Sequence, residues 1–137
     1  NDLNVAVANF CERMRSAGLN IDYYCLGTIP ALDNRLKLII YRAIQELVNN
    51  AIKHAKADHV LVQISQGDDI ITIVVEDDGK GFDILASKGM GLTSLEKKVQ
   101  NLNGHLTIES TPGEGASIQI EFSTRTLSEQ NALATLA

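Results

Sequence analysis

Residues 59–83, HVLVQISQGDDIITIVVEDDGKGFD, contain two runs of strand-forming residues followed by a string of acids and glycines. Apolar and other residues alternate in the first run (59–66), which is typical of a half-buried strand. The second run (70–76) is nearly all apolar, as a central strand would be. The short turn at 67–69 predicts that the two strands pair as a hairpin.

Helices and strands are also predicted on either side of this hairpin. Apolar spacing predicts a helix that starts after Asp2 and stops at Gly18, and a long helix from residue 32 to about residue 56. The other predicted elements are a strand at 19–25, a helix from about 92 to 103, and strands at His105–Ser110 and Ala116–Ser123. This order predicts an α/β (α+β) two-layer sandwich, with a mixed sheet of about five strands and about three helices on one face.

The size and composition of the chain limit the class of protein to which it can belong. With 137 residues, of which 45% are hydrophobic and 21% charged, it is most simply one globular domain. We expect that domain to span residues 1–123, with 124–137 as a peripheral tail. A net charge of −5 argues against a nucleic acid as partner.

Few features bear on cellular location. Cys11 and Cys25 show no CxxC or metal-like spacing, which favours a reduced, cytoplasmic protein. No apolar run reaches about 18 residues, so no membrane span is predicted. The chain begins at Asn1 without a Met, which suggests a domain excised from a longer protein, and that protein could be anchored in the inner membrane.

Three glycine pairs punctuate the second half of the chain: Gly79 and Gly81, Gly89 and Gly91, and Gly113 and Gly115. Glycine tolerates positive φ and lets another group approach the backbone closely, so three pairs in a small domain are hard to explain as turns alone. The middle pair leads directly into a helix, and the amides of a helix N-terminus can bind phosphate. Neither a P-loop GxxxxGK[ST] nor the Rossmann GxGxxG spacing is present.

The long predicted helix contains polar residues at helical spacing, in the string QELVNNAIKHA. Glu46 and Asn50 are four residues apart and share a face, with Lys53 one turn further along and His54 beside it. Asn49 points about 100° away from Asn50, so the two asparagines are not equivalent ligands. Oxygen donors such as Asn50 suit Mg²⁺, and Glu46 could orient a metal-bound water or accept a proton.

Four motifs together resemble a known family. The strings ELVNNAIKHA, DDGKGFD, GMGL and STPGEGASIQIEF resemble the N, G1, G2 and last glycine boxes of the catalytic ATP-binding domain of bacterial sensor histidine kinases. These belong to the wider group of gyrase, Hsp90, histidine-kinase and MutL-like ATPases. The resemblance covers residues 4–122 and implies the Bergerat-type ATP-binding fold, with ATP and Mg²⁺ as cofactors.

The resemblance also implies roles for the acids and polar residues. Asp77 would accept a hydrogen bond from the adenine amino group, which fits a carboxylate because it can only accept. Asn50 would bind Mg²⁺, and Glu46 beside it would act as proton acceptor or water organiser. Lys53 and His54 would contact phosphate.

The glycines receive roles in the same way. Gly79 and Gly81 would let the backbone pass close to the nucleotide, and Gly89 and Gly91 would lie along the phosphates. Ser117, near the last glycine pair, would help to hold the adenine-side carboxylate.

Three features depart from the commonest form of the family: the short lid, the missing phenylalanine box and Lys98. Only residues 82–88 separate Gly81 from Gly89, so the lid over the nucleotide is short, and Phe82 follows the loop without a separate phenylalanine box. Both features resemble nitrate-sensor and related short-lid kinases. Lys98 stands where those relatives often have Arg and lacks the bidentate fork. Asp78 occupies a variable position of the family and is interpreted as a turn residue.

The implied function is half of an enzyme. The domain would bind Mg-ATP and donate the γ-phosphoryl group to a histidine on a separate dimerisation domain, from which it passes to a response regulator. None of His54, His59 and His105 lies in an evident acceptor context, so the isolated chain is not expected to phosphorylate itself. We expect the fragment to be monomeric and the full protein to be a homodimer.

Two alternatives remain open from the sequence. One is an anti-sigma-factor-type serine kinase of the same fold. The other is a nucleotide-responsive interaction module that has lost transfer, although Glu46, Asn50 and Asp77 are all present. A gyrase-like ATPase is less favoured, because the lid is short and no transducer domain is seen.

Overall fold

The computed structural model describes residues 2–53, 56–80 and 92–124. In these ranges the helices are Asp2–Ser16 (α1), Asn34–Lys53 (α2) and Leu92–Asn101 (α3). The strands there are Ile21–Leu26 (β1), Val60–Gly67 (β2), Ile70–Asp77 (β3), His105–Ser110 (β4) and Ala116–Ser123 (β5). The predicted element order is confirmed.

The strands form one mixed sheet in the order β1-β2-β3-β5-β4. β1 is parallel to β2, and the other neighbours are antiparallel. The apolar strand β3 lies at the centre, as its composition predicts, with Val60 of β2 and Ala116 of β5 both opposite its last residue, Asp77. The end of β3 is therefore flanked by backbone on both sides.

One face of the sheet and the three helices enclose the core. Alternate side chains of the inner strands are buried, including Ile64, Ile73 and Ile120. α2 contributes a stripe with the 3-4 spacing of an amphipathic helix, namely Ile40, Ala43, Ile44, Leu47, Val48 and Ala51. The predicted two-layer sandwich is confirmed, and α2 lies across the sheet with its polar sides still accessible.

Helix ends in the described ranges follow from local sequence. Asp33 caps α2, because its Oδ1 accepts from the backbone N–H of Leu36 at 2.8 Å. α1 ends, as predicted, with Gly18 in the left-handed region at a φ of 95°. α3 ends at Asn101, slightly before the predicted end at about residue 103, and Asn103, at a φ of 59°, is the left-handed residue that precedes Gly104. A Cβ at Gly104 would lie 2.6 Å from the ring of Phe122, so packing explains that glycine.

Both cysteines are free thiols. Cys11 is buried in the core, and burial raises its pKa to about 11, an effect that nearby Arg15 partly opposes. A thiol with so high a pKa is a packing group and not a nucleophile. Within the described parts of the chain, no helix combines the length and apolar character needed to cross a bilayer.

Candidate nucleotide site

Asp77 ends β3 with its side chain on the helix-covered side of the sheet. Alternate residues of a strand share a face, and Ile73 and Val75 of the same parity are buried in the core. Oδ1 of Asp77 accepts a hydrogen bond from the backbone N–H of Gly79 at 2.9 Å. A carboxylate can accept several hydrogen bonds, so this contact leaves capacity for an external N–H donor.

Asp77 and its neighbour Asp78 have opposite electrostatic environments. Loss of hydration on burial is the main cause that raises the pKa of Asp77, while the Gly79 amide lowers it and the Asp78 charge raises it. Asp78 is exposed, and its pKa is lowered, chiefly by the backbone N–H of His59. The carboxylate that would gain most from a bound hydrogen-bond donor is therefore Asp77.

The loop between β4 and β5 packs directly against the end of β3. The backbone N–H of Gly113 donates to the carbonyl of Lys80. A Cβ at Gly115 would lie 2.3 Å from the carbonyl oxygen of Asp77, which only a glycine avoids. Both glycines have positive φ, of 85° and 82° respectively. This glycine pair thus brings a second loop against the backbone on either side of Asp78.

The polar residues of α2 lie beside its buried stripe. Asn50 is partly buried, next to the buried Leu47 and Ala51, whereas Glu46 and Lys53 are exposed. Asn49 is exposed on the side facing away from the sheet. Of the two asparagines, Asn50 is the one whose side chain lies at the border between core and solvent.

A cavity of about 220 Å³ lies between α2 and α3. Its polar lining consists of Arg42 and Glu46 from α2 and Ser94 and Lys98 from α3. Its apolar lining is Leu38, Ile39, Ala43 and Leu95. Apolar walls with a few convergent polar groups are typical of a ligand pocket, and two cations here suit an anionic group.

A second concavity, of about 350 Å³, lies at the end of β3 and β5. Its lining includes Glu76, Asp77, Glu109 and Glu114, and none of its described lining residues is Lys or Arg. Four acids repel an anionic phosphate. A nucleotide whose base contacts Asp77 would therefore be directed with its phosphates away from this concavity, toward α2 and α3.

A family model fits this chain over residues 36–126. It is that of the histidine kinase-, DNA gyrase B- and HSP90-like ATPases. The matched residues include most of α2, Asp77 and the β4–β5 loop. The chain belongs to this ATPase family.

Relatives of this ATPase domain are sensor kinases. It is 34% identical over 107 residues to the signal transduction histidine-protein kinase/phosphatase DegS of Brevibacillus brevis, covering 77% of this chain and 28% of DegS. It is 39% identical over 96 residues to the sensor histidine kinase ComP of Bacillus subtilis, covering 67% of this chain and 12% of ComP. The chain thus spans less than a third of the length of either relative.

A solved structure has the same fold. The histidine kinase domain of the blue-light activated histidine kinase from Erythrobacter litoralis EL346 superposes with a TM-score of 0.74 at 20% identity. The alignment covers 96% of this chain and 64% of that one. It includes α1 and β1, which precede the residues matched by the family model, so these elements are part of the common fold.

Ser117, which was predicted to help to hold the Asp77 carboxylate, lies next to a different acid in the sheet. Ser117 lies opposite Glu76 in the sheet, and its hydroxyl donates to Oε1 of Glu76 at 3.5 Å. Because neighbouring residues of a strand point to opposite faces, Glu76 and Asp77 face different sides. Ser117 therefore lies beside Glu76 in this structure, and its expected part in holding the Asp77 carboxylate stays a prediction.

The remaining predicted site residues divide into two groups. Gly79, two residues after Asp77, is buried, and Glu46, Asn50 and Lys53 lie on one side of α2. The predictions for His54, Gly81, Gly89 and Gly91 lie outside the described residues.

Two polar lining residues of the α2–α3 cavity, Arg42 and Ser94, were not considered in the sequence analysis. Arg42 precedes Glu46 by four positions, so helical spacing could have identified it. Ser94 lies on α3, and only the packing of α3 against α2 brings it to Glu46.

Proposed function

We propose that this ATPase domain binds Mg-ATP and donates the γ-phosphoryl group to a histidine on a separate dimerisation domain. The phosphoryl group would then pass to an aspartate of a response regulator. Support comes from the family membership and from relatives that are named sensor histidine kinases. Those relatives are at least three times as long as the matched region, which leaves room for an acceptor domain.

The observation that carries ATP recognition is the half-buried carboxylate of Asp77. It has one backbone donor, Gly79, and burial raises its pKa, so a second N–H donor stabilises its charge. Adenine presents an amino group where guanine presents a carbonyl oxygen. A carboxylate cannot donate to that oxygen, so this site favours ATP and ADP over GTP.

The metal would be held at α2. Asn50 supplies a side-chain oxygen at the edge of the core, and oxygen is the ligand that Mg²⁺ prefers. In the described residues no group of three or more His, Cys, Asp or Glu side chains could hold a metal, so waters and ATP phosphates would complete the coordination. Bound Mg²⁺ would neutralise phosphate charge during transfer.

The other residues of α2 would act around that metal. Glu46 would organise water or accept the proton of the attacking histidine, and Lys53 would contact phosphate. Arg42 and Lys98 lie on opposite walls of the cavity. Their positive charges would stabilise the negative charge of the ATP phosphates or of an acceptor segment that enters the cavity.

The cellular setting follows as part of the same proposal. A kinase that uses ATP and keeps Cys11 and Cys25 as free thiols fits the cytoplasm. The isolated domain would be a monomer, and the dimerisation domain would make the complete protein a homodimer.

Phosphotransfer can be tested with labelled ATP and Mg²⁺. The isolated chain should not become phosphorylated on His54, His59 or His105. Adding the dimerisation domain of the same protein, in cis or in trans, should give an acid-labile phosphohistidine on that domain. An acid-stable phosphate on a protein serine would instead support the serine-kinase alternative, and ATP binding without any transfer would support the interaction module.

The metal site has a matched control one residue away. Asn50→Ala should reduce the gain in ATP affinity that Mg²⁺ provides, whereas Asn49→Ala should leave it unchanged, since Asn49 faces away from the sheet. Calorimetric titration with and without Mg²⁺ measures this gain, and circular dichroism checks that both variants fold. The opposite pattern would show that the assignment of Asn50 is wrong.

A further inference from the structure

The β2–β3 ladder ends in an unusual way just beyond Asp77. The last paired residues are Val60 and Asp77. Beyond them, the Asp78 N–H donates to the carbonyl of His59 at 3.3 Å, and the His59 N–H donates to Oδ1 of Asp78 at 2.8 Å. In a regular antiparallel pair both bonds are between backbone groups. Here the carboxylate takes the His59 N–H, so pairing stops and the backbone leaves toward Gly79.

The same carboxylate also contacts the connection between α2 and β2. Oδ1 of Asp78 accepts from the backbone N–H of Asp58 at 2.9 Å. Residues 58 and 59 follow α2, which carries Asn50, whereas Asp78 follows Asp77 directly. One side chain therefore joins the two segments on which base recognition and metal binding are proposed to depend.

His59, whose amide binds Asp78, is also connected to the edge strand β1. Nε2 of His59 lies 2.9 Å from Oδ2 of Asp22 on β1, so the residue held by Asp78 is itself tied to a neighbouring strand. On the other side, the carbonyl of Lys80, two residues after Asp78, accepts from Gly113. The peptide units between Asp77 and Lys80 are thus held from both sides.

We propose that Asp78 is a positioning residue for nucleotide binding. The Asp78 carboxylate accepts the His59 N–H that the Asp78 carbonyl would accept in a regular ladder, and this fixes the turn after Asp77. That turn places the Gly79 N–H on Oδ1 of Asp77 and so orients the Asp77 carboxylate toward the base. This inference rests on the proposed recognition of adenine by Asp77. It also changes the interpretation of Asp78 from the sequence, in which it was only a turn residue.

Three substitutions at Asp78 separate geometry from charge. Asp78→Ala removes the acceptor and should weaken ATP binding about tenfold, because small displacements of a binding group cost that much or more. Asp78→Asn keeps an oxygen at the same distance from the backbone and should bind ATP within about twofold of the parent protein. Asp78→Glu keeps the charge but moves the oxygen, and should resemble Asp78→Ala.

A matched control is available at the partner position. Asp58→Ala removes an exposed acid next to Asp78 but keeps the backbone N–H that Asp78 binds, so ATP affinity should stay within about twofold. The base preference gives a second readout, since a misaimed Asp77 should reduce the ratio of ATP to GTP affinity. A substitution that only lowers the free energy of unfolding would leave the ratio of ATP to GTP affinity unchanged, because the remaining folded molecules have an intact site. Urea unfolding measures that free energy separately.

Amide signals report the geometry directly. In Asp78→Ala, hydrogen exchange of the Asp58 and His59 amides should accelerate, and the Gly79 amide resonance should shift as its contact with Asp77 weakens. Rescue by Asp78→Glu but not by Asp78→Asn would show that charge acts alone, and would overturn the proposal.

The two proposals fail in different ways. If Asp77→Asn weakens ATP binding and Asp78→Ala changes neither the affinity nor the Gly79 amide, Asp78 is not a positioning residue and adenine recognition stands. If Asp77→Asn has no effect on ATP binding, adenine recognition itself is wrong, whatever Asp78 does.

Discussion

The two ends of β3 carry the same dipeptide in two different structures. Asp68 and Asp69 precede the strand and form the hairpin turn to β2, with φ of 54° and 59°. Gly67 and Ile70 pair on either side of them, so the turn is a two-residue hairpin loop with both central residues in the left-handed region. Both aspartates are exposed, and the turn is complete within a few residues.

At the other end, Asp77 and Asp78 depend on segments far away in the sequence. Asp77 is still in the strand and half-buried, while Asp78 is held by the amides of Asp58 and His59. The β4–β5 loop closes against the backbone of both residues at Gly115. An Asp-Asp dipeptide therefore does not specify a binding site without the segments that pack around it. Burial of Asp77 and the distant backbone donors to the Asp78 side chain make these two acids electrostatically distinct, whereas Asp68 and Asp69 are exposed in a turn between adjacent strands.

The largest effect that tests this comparison is expected at the last glycine pair. Gly115→Ala should lower the free energy of unfolding by about 2–4 kcal/mol, because left-handed strain adds to a clash with the Asp77 carbonyl. Gly113→Ala has the same kind of φ but open space around its Cβ, so about 1 kcal/mol is expected. Urea unfolding measures both, and equal costs would mean that close packing on Asp77 does not matter.

The next effect is on nucleotide affinity. Asp77→Asn should weaken ATP binding by roughly 1.5–3 kcal/mol, as expected for a hydrogen bond to a charged group. Asp69→Asn is the matched change at the other end of β3 and should leave binding unaltered. Titration calorimetry with ATP, ADP and GTP measures these differences. Equal affinity of the parent protein for GTP would contradict the role of Asp77.

A third prediction uses the opposite pKa shifts of the two acids at the site. Adenosine binding, which involves no phosphate, should weaken as the pH falls through the raised pKa of Asp77, because the protonated acid is a poorer acceptor. Asp77→Asn should remove this pH dependence. Competition titrations from about pH 7 to about pH 4.5 would show it.

The two acids should also affect stability with opposite signs. For Asp77, whose folded pKa is raised, the contribution to stability decreases as the pH rises from the unfolded-state pKa through the folded pKa. For Asp78, whose folded pKa is lowered, the contribution is present above the unfolded-state pKa and lost as the pH falls through the folded pKa. Comparing the acid unfolding of Asp77→Asn and Asp78→Asn separates them, and matching profiles would contradict the assigned environments.

The smallest effect is expected at the hairpin turn. Asp69→Gly should raise the free energy of unfolding by about 0.5 kcal/mol, because relief of left-handed strain slightly exceeds the added entropy of the unfolded chain. The backbone contact from Thr124 N–H to the Asp69 carbonyl remains in that variant. Asp78→Gly should instead destabilise the protein, since Asp78 has no positive φ to relieve and the variant loses the carboxylate that accepts from the Asp58 and His59 amides. A destabilised Asp69→Gly would show that its side chain has a role the turn geometry does not explain.

Periodicity and turn chemistry were sufficient to predict most of the fold. The strands His105–Ser110 and Ala116–Ser123 have the predicted bounds, and the other elements differ only at their ends. Such patterns work because each element buries one face, and the 2.0 and 3.6 residue periods record which face that is. The end of α3 was less predictable, since Asn103 and Gly104 are both residues that tolerate positive φ.

The element order and the polar spacing along α2 could be predicted from sequence because both are periodic over a few residues, and the apolar composition of β3 predicted its central position. The placement of Ser117 opposite Glu76 could not be predicted, since it depends on the register between β3 and β5. The fold also brings to Asp78 its hydrogen-bond donors, the amides of Asp58 and His59, which are about twenty residues away in the sequence. A side chain's chemistry is written in the sequence, whereas its burial and its hydrogen-bond donors come from whichever distant segments the fold packs around it.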